Sequence, residues 1–100
     1  MSNERRNRIK LAVAAYAYEV LDDPVMTDEQ FDRLSRQINP TVVTGNLTLD
    51  VFFQTVWTPH SGQWVRQHPN LPAVAHICTT IGPLIRAYNL EGERLSLIHI

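Results

Sequence analysis

This chain has one cysteine, Cys78, one lysine, Lys10, and only four glycines in 100 residues. A lone cysteine excludes an intramolecular disulfide and fits a reducing compartment. No apolar run approaches the roughly 18 residues a membrane span needs. A cytoplasmic protein without a membrane partner is therefore expected. An excess of charge of either sign is also missing. Nine cations against ten anions leave a net charge of −1, which offers no overall attraction to DNA or to an anionic surface. Direct nucleic-acid binding is accordingly not expected.

The chemistry of common enzyme sites is missing as well. The chain holds no Gly-rich phosphate loop, no Gly-x-Ser-x-Gly elbow and no Asp-Gly dipeptide,. His60, His68, His76 and Cys78 show neither Cys-x-x-Cys nor His-x-x-x-His spacing, so no zinc site is assigned. No catalytic residue and no metal ligand is expected, and no cofactor is required. The basic cluster Arg5, Arg6, Arg8 and Lys10 precedes Leu11-Ala12-Val13-Ala14-Ala15, in faint imitation of a secretory signal. Tyr16, Tyr18, Glu19 and the Asp22-Asp23 pair do not fit one. Cations at a helix N-terminus oppose the macrodipole, so the cluster reads as a solvated face or a frayed lead-in.

What is present is helical periodicity. Ile9, Val13, Tyr16 and Val20, with Ala12 and Ala17 beside them, recur at three- and four-residue steps and predict a helix near residues 5–21. Asp22-Asp23-Pro24 ends it, because the residue before a proline is pushed out of the α region. Thr27 and Gln30 have the spacing of a capping box, in which each side chain satisfies the other's backbone N–H. A second helix follows near 28–38, with Phe31, Leu34 and Ile38 as its buried face and Asn39-Pro40 as its stop. A loop this short holds the two helices antiparallel. Thr41-Val42-Val43-Thr44 reads as an extended connector, and Leu49, Phe52, Phe53 and Val56 as a short helix. Thr58–Gly62 reads as a turn, and Gln63-Trp64-Val65-Arg66 as a short extended piece. Phe52, Phe53, Trp57 and Trp64 supply a compact satellite core, since a domain of this size needs its large aromatics buried. Asn70 is placed to cap a last helix near 71–81 with apolar positions Leu71, Val74, Ala75, Cys78 and Ile81, kinked at Gly82-Pro83. The expected fold is mainly α: an N-terminal helical hairpin at 5–40, a loop-rich middle and a C-terminal helix, all in one domain spanning 1–94. Leu95-Ser96-Leu97-Ile98-His99-Ile100 matches the translation of a sequencing-adapter end, so the tail is set aside as adapter-derived.

The run Ala15 to Leu34, with Tyr16-Ala17-Tyr18, Val20-Leu21-Asp22, Pro24 and Asp28-Glu29-Gln30-Phe31-Asp32-Arg33-Leu34, resembles the N-terminal subdomain of bacterial NAD-dependent DNA ligases. It is similar, less specifically, to small ligase-related proteins of phage and mobile-element genomes. The ligase subdomain closes over the nicotinamide mononucleotide (NMN) half of NAD. The resemblance implies a cofactor-binding set of Tyr18, Glu19, Asp28, Phe31 and Asp32. An aromatic face favours the cationic nicotinamide ring, and a carboxylate accepts hydrogen bonds from ribose hydroxyls or the carboxamide. Phe31 stands where the family usually has Tyr, keeping the stacking surface without the hydroxyl. Glu19 stands where it often has His or Tyr, placing negative charge beside the ligand's phosphate. The ligase nucleophile is a lysine in a Lys-x-Asp-Gly setting, and Lys10 is followed by Leu11-Ala12-Val13,. The resemblance thus implies a non-catalytic NAD- or NMN-binding module, a phage-encoded accessory to a ligase core. The other reading is a small α-helical protein-interaction module, a phage or mobile-element accessory or anti-defence factor, that reuses the hairpin as scaffold. NAD or NMN and a protein partner are the two expected classes of ligand.

Overall fold

In the computed structural model, residues 3–91 are described, with side chains for residues 3–84. Helices α1 (Asn3–Glu19), α2 (Asp28–Gln37), α3 (Leu47–Thr55) and α4 (Leu71–Glu91) run in order, with a short 3-10 helix, Gln63–Gln67, between the last two. No strand occurs among the described residues. The fold is mainly α. The expected adapter-derived tail, residues 95–100, lies outside the described residues.

Helix α1 is the axis of the molecule: α2, α4 and the 3-10 helix all pack on it. This corrects the single apolar stripe. Leu11, Ala12, Val13, Ala14, Ala15 and Ala17 are all buried, while Ile9 and Val20 are exposed and Tyr16 only half-buried. A helix covered on most sides has no polar face to contrast with its apolar one. Its end follows from Asp22, whose φ of +52° is the left-handed conformation, which Asp tolerates better than most side chains. That turn brings the Asp23 N–H back to the Ala17 carbonyl at 2.9 Å.

The expected capping box opens α2. Thr27 Oγ1 accepts from the Gln30 N–H at 3.1 Å, and Gln30 Oε1 accepts from the Thr27 N–H at 2.9 Å. Leu34 and Ile38 are buried towards α1. Residues 41–44 form the expected connector, and Gly45 turns it into α3 with a φ of +97°, a backbone region that only glycine enters cheaply. Asn46 caps α3, its Oδ1 accepting from the Leu49 N–H at 3.2 Å.

The largest correction concerns the basic cluster. It is helical from Asn3, and Arg8 is buried rather than solvated. Arg8 Nε donates to Glu4 Oε2 at 2.7 Å and Nη1 to Asp50 Oδ1 at 2.9 Å. Nη2 donates to the carbonyls of Asn39 at 3.0 Å and Val42 at 3.1 Å. Glu4 in turn accepts from the Asn39 N–H, and Asp50 accepts from the Thr44 N–H and hydroxyl. The guanidinium also lies 4.9 Å from the centroid of the Phe53 ring. One side chain thus joins α1, the 39–44 connector and α3. The hydroxyl of Thr44 foremost, with help from its N–H and from Arg8 and against the cost of desolvation, holds the Asp50 carboxyl below its usual value.

The aromatic residues pack together as expected, but as part of the one hydrophobic core that also holds Leu11 and Val13 rather than as a satellite of it. Phe53 lies edge-on to Phe52 at 5.4 Å and tilted to Trp64 at 5.8 Å and Trp57 at 6.1 Å. Trp64 is buried, with its indole N–H donated to the Ser61 carbonyl at 2.7 Å. Gln63–Gln67 is therefore not extended as expected. Its 3-10 turns, closed by Val65 N–H to the Gly62 carbonyl, point both Trp64 and Val65 inward, whereas a strand would put successive residues on opposite faces,.

Helix α4 is longer than expected. Val74 and Cys78 are buried, but Ile81, expected on the apolar face, is exposed. Asn70 supplies its carbonyl to the Val74 N–H at the start of the helix. Pro83 lies inside the helical span, and the bend expected there borders residues whose side chains lie outside those described.

His68 bridges the aromatic core and α4. Its ring is 5.4 Å from that of Phe52, and Nδ1 accepts from the Asn70 N–H at 3.0 Å. Burial lowers its pKa from the ordinary 6.5. Between the two values the unfolded chain binds a proton that the folded chain does not, so stability rises with pH there. Acidification from about pH 7 to 5 should erode stability, and His68→Asn, which keeps an acceptor without the titration, should flatten that slope. Urea midpoints measured across this range check it. Asp50 adds a separate loss at lower pH, as its depressed carboxyl becomes protonated,.

Candidate functional site

A cleft of about 400 Å³ opens where the C-terminal half of α1 faces the start of α2, walled by the turn before the 3-10 helix. Tyr18, Glu19, Asp28, Phe31 and Asp32 all line it, so the five residues singled out from the sequence share one concavity. Its volume falls in the range of small-molecule sites.

The local geometry explains the convergence. Tyr18 and Glu19 end α1, just before the left-handed turn at Asp22. Asp28, Phe31 and Asp32 recur at three- and four-residue steps from the N-terminus of α2, which places them on one face. Phe31 serves both readings made for it: it is half-buried against the core and also lines the cleft. Tyr18 is 50% exposed, and its ring meets no other aromatic ring among the described residues. Asp28 and Asp32 are exposed, Glu19 is half-buried, and none of these carboxylates has an ion-pair partner among the described residues.

The opposite wall was not foreseen. His60, Ser61 and Gly62 complete the cleft, with Ala14, Ala15, Pro24 and Met26 around its sides. Gly62 is what allows the approach. A Cβ there would sit 3.1 Å from the Ala15 Cβ and 3.4 Å from Phe31 Cζ, so even an alanine would require the turn or α1 to give by a few tenths of an ångström. A Gly after Ser and before a buried Trp was the available signal, but nothing local names Ala15 and Phe31 as its neighbours.

Lys10 does not line the cleft; it precedes Tyr18 by eight residues, about 12 Å along the helix. Burial and the neighbouring Arg6 lower its pKa. Among the described residues, no group of three or more His, Cys, Asp or Glu side chains is arranged to hold a metal ion, and no helix is long and apolar enough to cross a membrane. A second, more apolar hollow of about 180 Å³ lies between α1, α3 and α4, lined by Ile9, Ala12, Leu49, Phe53, Val74 and Ile77 among others. No known protein family, curated protein or solved structure matches this chain.

Proposed function

We propose that the protein is a non-catalytic module whose cleft binds the nicotinamide portion of a nicotinamide nucleotide, as an accessory to a ligase core on a separate chain. The observation that carries this reading is the convergence of Tyr18, Glu19, Asp28, Phe31 and Asp32 on one open cleft. Two aromatic rings and three carboxylates suit a flat cationic ring with a hydroxyl-rich sugar. The lysine setting for self-adenylation is absent from the chain, so the module holds the nucleotide without forming a covalent bond to it.

Calorimetric titration with NAD and NMN tests the reading directly. Tyr18→Ala and Asp28→Ala should each weaken binding by about 1–2 kcal/mol, with the far-ultraviolet circular dichroism unchanged. Both side chains are exposed, so the fold has little to lose. The protein's mass should stay unchanged after incubation with NAD, and a gain matching adenylylation would overturn the non-enzyme assignment. No heat at millimolar ligand would leave less than about 4 kcal/mol of binding free energy and remove the nucleotide reading.

One observation favours a second reading, a helical protein-interaction module. Leu47 is 78% exposed and Val51, one turn on along α3, is 47% exposed, with Val43 beside them in sequence at 78%. This apolar face is separate from the cleft residues, and exposed apolar patches are typical of partner surfaces.

A further inference from the structure

We infer that the cleft takes its ligand as the cationic, phosphate-free riboside in preference to the mononucleotide. This rests on the nicotinamide reading above and narrows it. Glu19, Asp28 and Asp32 line the cleft, and among the described residues no lysine or arginine does. Two nearby arginines are engaged at its edges. Arg33 pairs with Glu29 at 3.1 Å on the exposed side of α2. Arg66 donates to the backbone carbonyl of Glu19 and lines a neighbouring hollow with Thr58, Gln63 and Gln67. Among the described residues, His60 is the one histidine that lines the cleft.

A phosphate could otherwise seat on the free N–H groups of a helix N-terminus. That option is weakened at α2. The Gln30 N–H is already taken by Thr27 Oγ1, and Asp28 and Glu29 occupy the first turn. The three cleft carboxylates therefore act on the ligand with opposite signs at its two ends. They attract the ring, which carries one positive charge when joined to ribose, and repel a dianionic phosphate. Removing the phosphate leaves every favourable contact in place and deletes the repulsion. Reducing the ring to its dihydro form deletes the attraction instead.

The test is a set of calorimetric titrations of the full chain at low salt with nicotinamide riboside, its 1,4-dihydro form and NMN. The riboside should bind at least tenfold more tightly than either of the others, and the gap to NMN should shrink several-fold in half-molar salt, which screens exposed charges. Glu19→Gln should raise NMN affinity several-fold relative to the riboside, and Arg66→Gln should leave their ratio unchanged. NMN binding as tightly as the riboside, or an NMN affinity that collapses in Arg66→Gln, would overturn the inference while leaving the nicotinamide site standing. Failure of all three compounds to bind at millimolar concentration would remove the site itself and the inference with it.

Discussion

Arg8→Ala should destabilise the protein by about 3–5 kcal/mol, the usual effect of removing one member of a buried ion pair. The truncation leaves the carboxylates of Glu4 and Asp50 facing each other's surroundings without the cation between them, and it frees the carbonyls of Asn39 and Val42. It also strips the guanidinium from the Phe53 ring. Native stabilities are themselves only about 5–15 kcal/mol, so the variant should be partly unfolded under mild conditions. Arg8→Lys keeps the charge but cannot reproduce a planar fork serving four acceptors, and should recover only part of the loss. Equilibrium urea unfolding of the three proteins checks the order. A wild-type midpoint in Arg8→Ala would mean that the pair contributes nothing.

Phe53→Ala is the second large effect, again about 3–5 kcal/mol. Phe53 is 2% exposed and touches Phe52, Trp57, Trp64 and the Arg8 guanidinium. Its loss opens a cavity that stiff aromatic neighbours cannot collapse to fill. Tryptophan fluorescence should report it twice, as an earlier unfolding midpoint and as altered emission in the folded state, because both indoles border the vacated space. Unchanged emission together with an unchanged midpoint would show that Phe53 is not the centre of the aromatic cluster.

The parts of this fold that were legible in the sequence are those written in short-range terms. The Thr27–Gln30 capping box, the Asp22-Asp23-Pro24 stop, the Asn39-Pro40 stop and the helical spacing of Leu49, Phe52, Phe53 and Val56 need only neighbouring residues. The role of Arg8 does not: Glu4 is a local partner, but its other three acceptors stand 31 to 42 residues away, and a cation among cations gives no local sign of burial. The burial of Ala14 and Ala15, outside the expected stripe, is illegible for a related reason. Alanine is as common on exposed helix faces as on buried ones, so periodicity could not show that α1 is covered nearly all round. Trp64-Val65 looked strand-like because bulky β-formers in a four-residue window carry no period. As for the cleft, the α1 and α2 walls came from a patterned resemblance, whereas the His60–Gly62 wall arrives from a distant part of the chain through contacts that spacing cannot express.

The central position of α1 also sets an order of events at the ribosome. Its main cover, α4, begins at Leu71, about 50 residues after α1 ends at Glu19. At translation rates of roughly 5–20 residues per second, that separation amounts to several seconds. During that interval Leu11 to Ala17 have only α2 and, at its end, the 3-10 helix to shelter against, so the N-terminal hairpin is not a folding unit by itself. A peptide of residues 3–40 should show little helix in water, and a chain arrested before α4 emerges should hold its cleft residues without holding their geometry. The cleft would then take its shape only with α4, which begins nine residues after Gly62, the last residue to line it.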